Sequence, residues 1–228
     1  MDAEAKNTKQ MNAIIIGATG LVGQQLLRLL LGSGRYQEVH YIGRRRIAVD
    51  DGKLVQHITS LDALADLQLH TKFDDAYCTL GTTIKVAGSE AAFSKVDRDY
   101  VCAFGAFAKR HGATAMAVNS SLGAASKSSN FYLRTKGEME DCLKACGFES
   151  LVIVRPSLLV PTGRKVSRAG EVVAFRVMQL LGWLMVGPAR RYRPVSPTAV
   201  SHAMLDGAIA HAPGTIVVES EAMLSCAG

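Results

Sequence analysis

Tyr132 and Lys136 stand four residues apart in the stretch Phe131-Tyr132-Leu133-Arg134-Thr135-Lys136. On a helix that spacing puts both side chains on one face. A free phenol ionises near pH ~10 and is a poor acid or base at neutral pH. A neighbouring ammonium favours its ionised form. Such a pair can pass a proton to or from a carbonyl oxygen while a hydride moves at carbon, and the lysine can also hydrogen-bond a cofactor ribose. Twelve residues upstream stands Asn119-Ser120-Ser121. A hydroxyl there would hydrogen-bond the same carbonyl oxygen and complete a Ser-Tyr-Lys site.

A second group of residues suits an anionic nucleotide. Gly17-Ala18-Thr19-Gly20-Leu21-Val22-Gly23 follows the apolar run Ala13-Ile14-Ile15-Ile16. A β-branched strand, a G-x-x-G-x-x-G turn and a helix from Leu21 to Leu31 open a dinucleotide-binding sheet. Gly17 permits the tight turn, Gly20 lets backbone approach a pyrophosphate, and Gly23 lets the helix pack on the strand. The free N–H groups at the helix start then face the phosphates. Gly43-Arg44-Arg45-Arg46 ends the next strand, where folds that prefer NAD place an acid for the ribose hydroxyls. Arginine pairs bidentately with phosphate, so Arg44 and Arg45 predict a 2′-phosphate clamp and NADP(H) as cofactor.

These residues need a scaffold that brings them to one edge. Strands are expected at 13–16, 39–42, 54–58, 75–80, 114–119 and 151–154, with an edge strand at 215–218. Helices are expected at 21–31, 61–67, 89–111 (started by Ser89), 130–146 (stopped by Gly147) and 198–210. The alternation predicts an α/β fold, a doubly wound parallel sheet, with ligands beyond the carboxyl ends of the strands. Residues 1–11 read as a flexible polar tail, and 12–228 as a single Rossmann domain. Residues 157–197 break the rhythm and read as a small substrate-side lobe around a helix from Glu171 to Met185. That helix would set Val172, Phe175, Met178, Leu181 and Met185 on one face.

The chain has 228 residues, 48% of them hydrophobic and 20% charged, enough for one substantial core. The net charge is +6, and basic residues cluster locally, at Arg44–Arg46 and at Arg190-Arg191-Tyr192-Arg193. That suits an anionic cofactor or substrate better than nucleic acid. No run reaches the ~18–20 apolar residues of a membrane span, and the polar first residues are no secretion signal. Cys78, Cys102, Cys142, Cys146 and Cys226 are odd in number and match no metal spacing, so reduced thiols, no metal and a cytoplasmic location are expected.

Several stretches together resemble the atypical branch of the short-chain dehydrogenase/reductase superfamily, and within it the Tat-interacting-protein-like oxidoreductase group. They are Gly17-Ala18-Thr19-Gly20, Ile42-Gly43-Arg44-Arg45, Leu80-Gly81-Thr82-Thr83, Val96-Asp97-Arg98-Asp99-Tyr100, Ser120-Ser121, Lys127 to Tyr132, Lys136-Gly137-Glu138 and Arg155-Pro156. The resemblance runs from about Asn12 to Leu205. It implies NADP(H) along the Gly17 loop, touching Thr19, Leu21 and Val22 as well. Leu80, Gly81 and Thr82 would lie along the cofactor, and Ser120 and Pro156 would contact it too, Pro156 near the nicotinamide. Ser121 would be the catalytic serine, Tyr132 the acid/base and Lys136 its partner. Two positions depart from the family pattern. Thr59 stands where an acid often contacts adenine, and Asp97 where many members carry an asparagine that relays protons. The expected activity is reduction or oxidation of a small carbonyl or alcohol substrate. The alternatives are a nucleotide-sugar epimerase or dehydratase and a non-catalytic NADP(H)-binding regulatory protein. A second copy of the chain or a regulatory protein is left open as partner.

Overall fold

The computed structural model describes residues 11–159 and 192–225. Seven parallel strands form one sheet in the order β3-β2-β1-β4-β5-β6-β7. They are β1 (Met11–Ile16), β2 (Tyr36–Gly43), β3 (Leu54–Ile58), β4 (Asp75–Cys78), β5 (Ala115–Asn119), β6 (Ser150–Arg155) and β7 (Gly214–Glu219). The order reverses between β1 and β4, so their carboxyl ends diverge and leave a crevice. The expected doubly wound Rossmann fold is therefore present. Met11, placed in the tail by the sequence, opens β1 instead.

The sheet is covered on both faces because its central strands are apolar on both. In β1, Ala13 and Ile15 point to one core with α1 (Leu21–Gly32) and α6 (Pro197–Ile209). Ile14 and Ile16 point to the other, with α4 (Tyr100–Arg110) and α5 (Phe131–Ala145). All four side chains are fully buried. Buried Ser201 of α6 directs its hydroxyl to the Val22 carbonyl at 3.0 Å, tying α6 to the start of α1.

Most expected elements are found, with five corrections. The helix expected at 61–67 is one 3₁₀ turn, Leu61–Ala63. The strand expected to reach Leu80 ends at Cys78, which frees 79–83 as a loop. A short helix not anticipated from the sequence, α2 (Ile84–Ala87), follows that loop. The long helix is interrupted: α3 (Glu90–Ser94) passes through a π-helical turn, Lys95–Asp99, into α4. A further helix, α7 (Ser220–Ser225), follows β7.

The thiols also differ from expectation. Cys102 on α4 and Cys142 on α5 form a disulfide, with Cα atoms 6.1 Å apart, a span that suits the bond. The two stand 40 residues apart, so their meeting depends on how two helices pack and not on any spacing. Cys78 and Cys146 are free, and burial pushes the Cys78 thiol up to about 12. The lobe helix expected at Glu171–Met185, with its face Val172, Phe175, Met178, Leu181 and Met185, lies outside the described residues.

Candidate active site

Two adjoining cavities, of about 410 and about 850 Å³, run along the carboxyl ends of the strands. Thr19, Gly20, Thr79, Gly81, Thr82 and Val86 line both, so they form one groove over the crevice. The smaller cavity reaches Gly43, Arg44, Leu61 and Tyr100, and the larger reaches Ser121, Tyr132, Lys136 and Pro156.

The Gly17 loop has the shape that a dinucleotide needs. Gly17 adopts φ +84° and packs on the loop after β4, where a Cβ would fall 2.6 Å from the Leu80 nitrogen. A Cβ at Gly23 would fall 2.3 Å from the Gly17 carbonyl oxygen, so α1 can sit on its own turn only with glycine there. Gly20 differs, because a Cβ there would meet only the Gly17 oxygen, at 3.4 Å. Its bareness serves the groove and not the protein's packing. Gly20 is also the N-cap of α1, and no side chain caps that helix. The amides of Leu21, Val22 and Gly23 have no intrahelical acceptor, which suits a phosphate.

At the far end, Arg44 lines the smaller cavity. Both Arg44 and Arg45 are exposed. The Tyr41 hydroxyl donates to the Arg45 carbonyl at 3.2 Å and occupies the space above Gly43. Burial raises the Tyr41 phenol, and the Arg45 and Arg44 guanidinium groups beside it oppose that. Tyr41 thus holds the backbone from which the two arginines project.

At the near end the two serines separate. Ser120 donates its hydroxyl to Glu140 Oε1 at 2.6 Å, in a buried network that Arg155 closes through Nε at 2.9 Å. Hydrogen bonding to Glu140 holds the Arg155 guanidinium firmly charged. Among the described residues the Ser121 hydroxyl makes no hydrogen bond, and it lines the larger cavity. So does Tyr132, whose ring packs on Phe93 with centroids 5.4 Å apart and whose hydroxyl is equally uncommitted among the described residues. Asn130 caps α5 by accepting from the Leu133 amide at 3.1 Å, which fixes the first turn that carries Tyr132. The Pro156 carbonyl accepts from the Leu122 amide at 2.9 Å and holds the serine loop against the end of β6.

Lys136 is buried, and its ammonium lies 2.7 Å from Asp97 Oδ1. Asp97 Oδ2 accepts from the Thr82 amide at 2.8 Å. The sequence reading treated Asp97 only as a departure from a family pattern and missed this pairing. It also missed Thr79, Val86 and Asn119, which line the groove. No spacing links these positions to Tyr132 or Lys136; only strand order brings them together.

No family model matches the sequence. Among curated proteins, the chain is 33% identical to Protein HTATIP2 of Rattus norvegicus over 221 residues, covering 93% of this chain and 88% of that protein. It is 33% identical to Protein FMP52, mitochondrial, of Debaryomyces hansenii over 183 residues, covering 78% and 77%. The chain belongs to the HTATIP2/FMP52 family. Solved structures agree on the fold. MoeE5 in complex with UDP-glucose and NAD superposes with TM-score 0.67 at 15% identity, covering 94% of this chain and 80% of that one. A short chain dehydrogenase family protein from Francisella tularensis superposes with TM-score 0.63 at 12% identity, covering 94% and 99%. An HTATIP2/FMP52 protein thus has the NAD(P)-binding fold of short-chain dehydrogenases.

The family corrects one expectation. A cytoplasmic location was read from a polar N-terminus and an odd cysteine count, yet the FMP52 relatives in Debaryomyces hansenii, Scheffersomyces stipitis, Meyerozyma guilliermondii and Candida albicans are named mitochondrial. A polar N-terminal stretch is as compatible with a polar, amphipathic transit segment as with a cytoplasmic protein. No helix among the described residues is long and apolar enough to cross a membrane. No described cluster of His, Cys, Asp or Glu could hold a metal ion.

Proposed function

We propose that this HTATIP2/FMP52 protein is an NADP(H)-dependent oxidoreductase that acts on a small carbonyl or alcohol. The observation that carries the reading is that the Ser121 and Tyr132 hydroxyls, uncommitted among the described residues, line one cavity with Lys136. That cavity adjoins the bare amides of the Gly17 loop.

In this reading the uncapped start of α1 and Gly17, Thr19, Gly20, Leu21, Val22 and Gly23 hold the pyrophosphate. Arg44 and Arg45 hold the 2′-phosphate. Leu80, Gly81 and Thr82 flank the cofactor, Pro156 lies toward the nicotinamide, and Ser120 supports the site from beneath through Glu140. The bound dinucleotide supplies or accepts the hydride. Ser121 donates a hydrogen bond to the substrate carbonyl oxygen and orients it. Tyr132 gives its proton to that oxygen as the C–O bond becomes an alcohol, and takes it back in the oxidative direction. Lys136 stabilises the charge left on the phenolate and hydrogen-bonds the ribose.

The test is titration of the purified protein with NADPH and NADH, followed by a screen of small aldehydes and ketones for NADPH oxidation. Tight NADPH binding with turnover that Tyr132→Phe removes supports the reading. Binding without any turnover across the screen makes it a cofactor-responsive binding protein instead.

A further inference from the structure

The buried ion pair between Lys136 and Asp97 is not explained by the proton-transfer scheme. Both side chains are almost fully enclosed, at 4% and 1% exposure. An ammonium has three N–H donors, and Lys136 lines the larger cavity, so it faces the groove as well as Asp97. The other carboxylate oxygen holds the Thr82 amide, in the loop that flanks both cavities. Asp97 is presented by the π-helical turn, where one extra residue per turn rotates the chain. A regular helix from Glu90 to Arg110 would bring a different side chain to this place. The loop above reaches the pair, because a Cβ at Gly81 would come into ordinary contact with both, 3.5 Å from Asp97 Oδ1 and 3.9 Å from Lys136 Nζ.

We propose that Asp97 is a positioning residue that joins Lys136 to the cofactor loop, so that the loop and the lysine engage the dinucleotide as one unit. The inference rests on the proposed cofactor reading and extends it. Asp97 acts through the lysine and through Thr82; it is not assigned a contact with substrate. A buried ammonium without its counter-ion is strongly unfavourable, and it escapes by swinging out to water or by losing its proton. Either route makes the amine open to acylation.

The experiment compares wild type, Asp97→Asn, Lys136→Met and the double variant. Brief acetic anhydride labelling is read at Lys136 by peptide mass spectrometry, with the half-exposed Lys95 and Lys144 as internal controls. In Asp97→Asn, Lys136 should label at least about tenfold faster while the two controls stay unchanged. NADPH affinity should fall roughly fivefold or more in each single variant, and no further in the double, because one coupled unit is lost only once. If Asp97→Asn does not fold, the double variant decides. It buries neither charge, and it should bind NADPH within about twofold of Lys136→Met. Labelling of Lys136 at the wild-type rate in Asp97→Asn, or a further tenfold loss of affinity in the double, overturns the proposal. Wild type that binds no NADPH would sink the cofactor reading and the shared-unit claim with it, while the labelling still reports whether Asp97 holds the lysine.

Discussion

Helices α1 and α5 both begin at the groove, yet their first turns are finished differently. At α1 the N-cap is Gly20, no side chain caps the helix, and the amides are left open. At α5 the N-cap is Asn130, whose side chain occupies the Leu133 amide. The same contrast runs through the two ends of the groove. The nucleotide end is made of backbone, with glycines that bring main chain close and two exposed arginines. The near end is made of side chains fixed by side chains, Lys136 by Asp97 and Ser120 by Glu140 and Arg155. Backbone sites tolerate most substitutions but fail where a Cβ appears. Side-chain sites fail wherever one partner is lost.

The largest effect should come at the near end. Tyr132→Phe removes one hydroxyl and leaves the ring against Phe93. Turnover on any substrate found should fall about 10²–10⁴-fold, with NADPH binding and thermal stability unchanged. Stopped-flow NADPH oxidation checks it, and a variant with wild-type activity would make the hydroxyl irrelevant.

Loss of one partner beneath the site should be felt as stability. Glu140→Gln keeps the size of a buried side chain and removes the carboxylate that Arg155 pairs with, while the partly exposed guanidinium keeps Glu219 and Asp141 nearby. Loss of such a charged hydrogen-bonded contact costs about 1.5–3 kcal/mol, so the melting temperature should drop by roughly 5 °C. Ser120→Ala should shift stability in the same direction but less, because it removes one neutral donor. Ser121→Ala should leave stability alone and lower turnover. Equal behaviour of the two serines in calorimetry would erase the distinction between them.

The nucleotide end should respond in affinity and not in stability. Arg44→Ala with Arg45→Ala removes charge-assisted contacts worth on the order of 1.5–3 kcal/mol each, so NADPH binding should weaken at least about tenfold with NADH nearly unaffected. Fluorescence titration with both cofactors decides it, and an equal loss for the two would refute the 2′-phosphate clamp.

The same contrast explains what could be read from the chain. The Gly17 loop and the Arg44–Arg45 pair are contiguous motifs set by local backbone needs, and β3 was bounded at Leu54–Ile58 to the residue. The near end was legible only as far as its parts lie close in sequence, as Tyr132 and Lys136 do. Asp97 comes from 39 residues before Lys136, and its aim depends on a π-helical turn that 3.6-residue periodicity does not reveal. The family resemblance singles out Ser121; what the sequence does not show is that Ser120 is held by Glu140 in a network closed by Arg155, with partners from α5 and β6. Cys102 and Cys142 meet only because α4 and α5 lie side by side.

The finest test exchanges the two helix ends. Gly20 has φ −78° and ψ 172°, an extended conformation open to any residue, and a Cβ there meets nothing closer than 3.4 Å. Gly20→Ser should therefore fold, and its hydroxyl should cap α1, raising stability by a few tenths of a kcal/mol. That hydroxyl would occupy an amide that the phosphate needs, so NADPH and NADH should both weaken by roughly fivefold, about 1 kcal/mol. Asn130→Ala does the reverse at α5. It should cost about 1 kcal/mol of stability by freeing the Leu133 amide. Cofactor affinity should hold, while turnover falls several-fold as the turn bearing Tyr132 frays. Differential scanning fluorimetry with and without each cofactor separates the two variants. If Gly20→Ser gains stability and binds both cofactors as wild type does, the amides at the start of α1 are not the phosphate donors, and the contrast between the two helix ends is one of folding alone.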